Sequence, residues 1–289
     1  MSFTILFILI VFLFSRFEKA VCFSVAFYPI LSLIRITDSI NLFQAYSILV
    51  LAYFFINYRK KHQVMEKVSF PFTLTIFFVC ISHVVTNLLQ VPHWPTSFAL
   101  IMSEYVMVYV FWMILQDNRN IHYFFSCFTI FMLIITGYCM IEFLLQDNPI
   151  YNWYVNSSLF MGYDADRSED IRFGSMRCHS LMRDVGALGT ACCFGFCVFF
   201  SYLQRTMRIT KLKKYMLLGL IMLCFASTFL TGTRTVILGI AFCLLVCSLS
   251  LTYRNKVRLL TFVGVICILC SGFLYDIYMS FIDTKSVVG

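Results

Sequence analysis

Cationic side chains gather in two places where an otherwise apolar chain has little reason to put them. Between Gln146 and Gly189 the sequence QDNPIYNWYVNSSLFMGYDADRSEDIRFGSMRCHSLMRDVGALG collects Arg167, Arg172, Arg177 and Arg183, interspersed with Asp164, Asp166, Glu169, Asp170 and Asp184. A much shorter segment, LTGTRT, carries Arg234 between two apolar runs. Guanidinium offers a rigid fork of N–H donors suited to phosphate oxygens, and a helix amino terminus adds unpaired N–H groups and the positive dipole end. Arg172 and Arg177 stand just before an apolar helix and Arg183 in its first turns, so the group suits a diphosphate at a membrane surface. The same arginines have acids at hand: Arg167 and Arg172 can pair with the loop carboxylates, and Arg183 with Asp184, in a solvated loop. Arg234 is pinned by a tight turn at the edge of two apolar runs. A charge costs about 2.5–3.5 kcal/mol if it sinks to the bilayer centre, so this one either has a function or snorkels to the boundary.

Other residue types in the loop extend the chemistry. His179 is the best-placed imidazole for proton transfer, and it also suits a purely hydrogen-bonded loop position. Trp153 and Tyr154, with Tyr151 and Tyr163, offer faces for stacking on sugar rings, or form part of an interfacial aromatic belt; His93 and Trp94 either cover the same cavity or belong to that belt. Gly186, Ala187, Gly189 and Thr190 make a small-residue face, which signals close helix packing. No P-loop, HExxH, GxSxG or dinucleotide fingerprint is present, so nothing supports ATP, zinc or hydrolase chemistry.

The elements that must position these residues follow from composition. Of 289 residues 61% are hydrophobic and 12% charged, against about 45–50% and about 25% in soluble domains, which makes this an integral membrane protein. The apolar residues come in long blocks without strand-like alternation, so the expected fold is all-α, a polytopic helix bundle. Blocks at Ser2–Phe14, Ala20–Ile34, Ile40–Ile56, Val68–Leu89, Phe98–Leu115, Ile121–Leu145, Leu181–Leu203, Tyr215–Leu230, Val236–Leu251 and Leu259–Tyr275 give about ten spans in one membrane domain, residues 1–289. Tyr215 to Leu251 as one helix would be ~55 Å long against a core of ~30 Å, so it must be a hairpin turning at Thr231–Thr235. The basic loops YRKKHQVMEK, QRTMRITKLKK and YRNKVR then fall on one side, the cytoplasm, and residues 146–180 form one large loop on the outer face.

The net charge of +8 resides mostly in those short connectors and reads as a topology determinant, with no nucleic acid implied. Most of the thirteen cysteines lie inside apolar blocks, where a thiol behaves as a small hydrophobe. Cys178 has no second loop cysteine to pair with, and no metal ligand set is visible.

The segment IRFGSMRCHSLMRDVGALGTACCF leading into a span, followed by FLTGTRTVILGIAF opening a later one, resembles the O-antigen ligase and polymerase superfamily, bacterial membrane glycosyltransferases of the Wzy and WaaL type. Arg172, Ser175, His179 with Ser180, and Gly186 or Gly189 fall on the first family pattern, with Ser180 where Pro is usual. Thr233, Arg234 and Thr235 fall on the second. The motif likeness covers roughly Glu142 to Leu251, and the stop at Asp283–Gly289 would make this a short or truncated member.

The resemblance implies a GT-C-like bundle in the bacterial inner membrane. It would polymerise or ligate undecaprenyl-diphosphate-linked oligosaccharide repeats at the periplasmic face, without metal or other cofactor. Its partners would be that lipid-linked glycan, an acceptor glycan or lipid, and the bilayer. Arg172 and Arg234, then Arg177 and Arg183, would hold the diphosphate, and His179 or Asp184 would be the base. A flippase or other transporter of the same lipid would also need cations, but with charge deeper in several spans and broken helices. A membrane sensor with the loop as its ectodomain would not need Arg172 and Arg234.

Overall fold

A computed structural model describes residues 2–37, 40–58, 77, 81, 107–150, 153, 171–172, 175–182, 184–205, 210–233, 236 and 239–240. The apolar blocks expected at Val68–Leu89 and Leu259–Tyr275, and most of Val236–Leu251, lie outside these residues apart from isolated positions. The described chain is mainly helical, with one two-residue ladder and an isolated bridge between Arg35 and Asn41. In order it contains α1 (Ser2–Ser15), α2 (Phe17–Ala26), α3 (Tyr28–Leu31), α4 (Leu42–Tyr53, running on as a wider π turn over Phe54–Tyr58), α5 (Met107–Ile114) and α6 (Asn118–Leu145). There follow β1 (Ile171–Arg172), β2 (Ser175–Met176), α7 (Val185–Arg205) and α8 (Lys211–Leu230).

Among the described residues three helices are long and apolar enough to cross a membrane: α6 with 28 residues, α7 over the 19 residues Val185–Leu203, and α8 with 20. At 1.5 Å per residue, even the shortest is about 29 Å long, close to the thickness of a hydrocarbon core. Their outward faces stay apolar, with Ile130, Leu133, Ile141, Phe194 and Leu218 all exposed. A helix that is apolar on its unburied face suits lipid and not water. The block expected as one span at Ala20–Ile34 differs: α2 ends at Ala26, and the short α3 carries Pro29 near its start. Proline has no N–H to give a continuing helix and crowds the preceding turn, so the break falls here.

The chain divides into two units. The first is Met1–Ile134 with Pro149–Asp164 and Leu181–Arg183. Its core gathers Leu13, Phe17, Val21, Leu42, Tyr46 and Val50, and the Phe17 and Tyr53 rings stack at 5.0 Å. A capping box starts α4: Asn41 Oδ1 accepts from Gln44 N–H at 2.8 Å, while Gln44 Oε1 accepts from Asn41 N–H at 3.0 Å.

The second unit, Ile135–Asn148 with Ala165–Ser180 and Asp184–Gly289, holds Arg172, Arg177, His179, Asp184 and Arg234. Within it α7 packs on α8, with Phe196 and Phe225 in ring contact at 6.2 Å and Cys192, Cys224 and Ser227 buried. The helix stops where the expected hairpin would turn, and most of the second arm lies outside the described residues. α8 stops at Leu230, Gly232 takes the left-handed conformation (φ 61°), and its N–H closes on Phe229 O at 2.9 Å. Gly189 of α7 faces this turn so closely that a Cβ there would stand 2.9 Å from Val236 Cγ2 and 3.2 Å from Thr231 Oγ1. The small-residue face read from the sequence thus serves close packing.

Substituting Gly189 by Ala overpacks this contact and should lower stability by about 1–3 kcal/mol. Gly219 on α8 has open space around it, so Gly219→Ala should gain about 0.5–1 kcal/mol from helix entropy. Thermal unfolding of the two variants in detergent should move in opposite directions.

Candidate functional site

Between Ile121 and Leu145 the one Asp, Glu, Lys or Arg is Glu142, and it lies inside the protein with 1% of its surface exposed. A buried carboxylate without donors is unfavourable by several kcal/mol, so its surroundings have to supply them. The end of α6 does part of this. Gln146 adopts a left-handed conformation (φ 51°) just past the last helical residue, which turns the chain back. Asn148 then donates from Nδ2 to Glu142 Oε1 at 2.8 Å and to Ser180 O at 3.0 Å. The Tyr138 hydroxyl donates to Asn148 Oδ1 at 3.0 Å, which fixes the amide's orientation.

The loop supplies the remaining donors. Ser180 N–H donates to Glu142 Oε2 at 2.6 Å and His179 N–H to Oε1 at 3.3 Å, while His179 Nε2 stands 3.8 Å from Oε1. Ser180 is left-handed as well (φ 55°), and its hydroxyl donates to Ile135 O at 2.6 Å. Three hydrogen bonds on one residue hold it in a conformation that an L-residue otherwise avoids. Proline could occupy this position in neither respect, having no N–H to donate and a fixed negative φ. The His179–Ser180 pair is therefore built differently from a His-Pro pair.

The same four-residue segment is held from its other end. Cys178 N–H donates to Leu230 O at 3.1 Å, Arg177 Nε donates to Thr231 O at 2.8 Å, and Arg177 Nη2 to Thr233 Oγ1 at 3.4 Å. Thr231 is buried at the turn, where its hydroxyl donates to Thr228 O at 2.7 Å. A permanent positive charge is thereby set against the turn that leads into Arg234, across 56 residues of sequence. Cys178, which lacks a loop partner, meets Cys139 of α6; the hydrogen bond between the thiols and burial both hold Cys178 well above the ordinary thiol range, so it stays protonated.

The other expected site residues are distributed as follows. Asp184 caps α7, its Oδ1 accepting from Ala187 N–H at 2.8 Å. Arg172 lies in β1 with its backbone opposite Ser175, so the two motif residues are register partners; its side chain lies outside the described residues. Arg183, Arg234 and Tyr154 also lie outside them. Trp153 is half exposed and belongs to the first unit. His179 is buried, its side chain 11% exposed.

Sequence reasoning missed Glu142, Asn148 and Tyr138. The signal for Glu142 was available: an ionisable residue in a spanning helix is by default a functional position. Asn148 and Tyr138 had no comparable mark. No protein-family model, curated protein or solved structure matches the chain.

Ser180→Pro should remove both the Glu142 contact and the left-handed turn, whereas Ser180→Gly keeps them and loses only the hydroxyl bond. The proline variant should fall in stability by more than about 3 kcal/mol and the glycine variant by about 1 kcal/mol, read from thermal unfolding in detergent.

Proposed function

We propose that this chain is a membrane glycosyltransferase of the O-antigen polymerase or ligase type, acting on an undecaprenyl-diphosphate-linked oligosaccharide at the periplasmic face of the inner membrane. The observation that carries the reading is the contact of Arg177 with Thr231 and Thr233, because it joins the two segments on which the resemblance rests. The acceptor hydroxyl attacks the anomeric carbon of the donor glycan as the bond to the diphosphate oxygen breaks. Negative charge develops on the departing polyprenyl diphosphate, and Arg177, with Arg172 and Arg234, neutralises it. The proton of the hydroxyl passes to a base, His179 or Asp184. The fixed charge of an arginine beside a turn of Thr side chains suits a diphosphate better than a point charge on a flexible stem would.

In a strain deleted for this chain, the intact protein should restore long glycan. Arg177→Ala and Arg234→Ala, at matched membrane levels, should each slow elongation about 10²-fold, in line with the loss of a donor to a developing anion. Single repeat units that stay on the lipid carrier with the intact chain, neither elongated nor passed to an acceptor, would overturn the assignment. Unchanged glycan in both variants would fit a sensor or scaffold. The proposed multi-pass topology also has its own test: a reporter active only outside the cytoplasm should score when inserted among residues 160–168 and fail at 206–209.

A further inference from the structure

Glu142 does not reach the surface: its side chain is fully buried, and each hydrogen bond it makes among the described residues is accepted from within the protein. It therefore does not meet a substrate, yet it holds one end of the segment that carries Arg177. Along residues 177–180 the hydrogen bonds change sides. Arg177 Nε and Cys178 N–H go to Thr231 O and Leu230 O at the end of α8, and the next two N–H groups, of His179 and Ser180, go to the Glu142 carboxylate. The segment is a strap stretched between a helix end and a carboxylate. Asn148 fastens the strap a second time, bonding Glu142 and Ser180 O with the same amide nitrogen.

From this geometry we propose that Glu142 is a positioning residue for the anion site: through the strap it fixes where the Arg177 guanidinium stands against the 231–233 turn. The proposal rests on the glycosyltransferase reading for what Arg177 does, and on the hydrogen bonds alone for how Arg177 is held. Two accepting oxygens are required because donors approach both of them. Ser180 N–H approaches Oε2, while Asn148 Nδ2 and His179 N–H approach Oε1. Glutamine at 142 has nearly the same shape but turns one oxygen into an NH2 group. That group then faces either Ser180 N–H or the Asn148 amide, donor against donor. The strap loses one fastening without a cavity being opened.

Two readouts test this. The first is a double-mutant cycle on glycan elongation rate in membranes. If Glu142 acts through Arg177, Glu142→Gln should slow elongation about 10-fold, Arg177→Ala about 100-fold, and the pair no more than Arg177→Ala alone. A double variant slowed about 1,000-fold would mean two independent contributions and overturn the proposal, as would a Glu142→Gln variant with wild-type rate. The second readout needs no substrate: amide hydrogen exchange over residues 177–182 of the full chain. Glu142→Gln should raise exchange at His179 and Ser180 while amides of α7 and α8 keep their protection. Unchanged exchange in the strap would overturn the proposal, and a general loss of protection, meaning a globally loosened protein, would overturn it too. Should the intact chain fail to elongate glycan, the glycosyltransferase reading falls, and the exchange experiment alone decides whether Glu142 positions Arg177.

Discussion

One carboxylate inside an apolar helix sets much of what its unit must do. Glu142 sits near the end of α6, buried away from the surface, and an unpartnered charge there would weigh against folding by several kcal/mol. The chain answers with donors from two directions: an amide brought back by the left-handed turn after α6, and two backbone N–H groups from a loop more than thirty residues away. The left-handed conformations of Gln146 and Ser180 belong to the same solution. Each is unfavourable alone, and each is held by hydrogen bonds that end on Glu142, on Asn148 or on the carbonyls of α6. A polar network this connected is specific as well as stabilising, since removing one member leaves the others buried and unsatisfied.

The end of α8 provides the complementary anchor. Helices finish with carbonyls that have no intrahelical partner, and in an apolar setting these need donors from elsewhere. Leu230 O and Thr231 O find them in Cys178 N–H and the Arg177 guanidinium. The loop thus satisfies two demands at once, the acceptors at a helix end and the carboxylate inside another helix. Gly189 allows α7 to approach the same turn, where any side chain would collide with Val236. Local necessities of backbone and burial bring a cation to the turn that precedes Arg234.

How far the site could be read in advance depended on what kind of mark each residue leaves. Arg177 was visible because a loop arginine against the expected charge bias stands out in an apolar chain, and the turn at Thr231–Gly232 was visible because a helix through it would be too long. Cys178 was read as partnerless because its neighbour Cys139 lies in a helix, not in the loop. Ser180 was noted only as a departure from a familiar pattern, and its left-handed backbone is what explains the residue. Tyr138 and Asn148 are common residue types in unremarkable positions, so only proximity reveals their part.

The sequence by itself determined the solvent of this protein and the length of its elements. Long apolar blocks with few charges suit helices in lipid, and among the described residues three helices have the length and composition to span it. It also marked a stretch where the chain must turn, Thr231–Thr235, because a helix running through it would be too long, whereas the break before Pro29, inside a block that reads as one span, came to light only in the structure. What only the tertiary structure decided was partnership. Glu142 meets Ser180, and Arg177 meets Thr231, across 38 and 54 residues. Hydropathy and charge are properties of single positions, whereas a hydrogen bond depends on two groups reaching one place in one orientation, and that is fixed by packing and backbone conformation together.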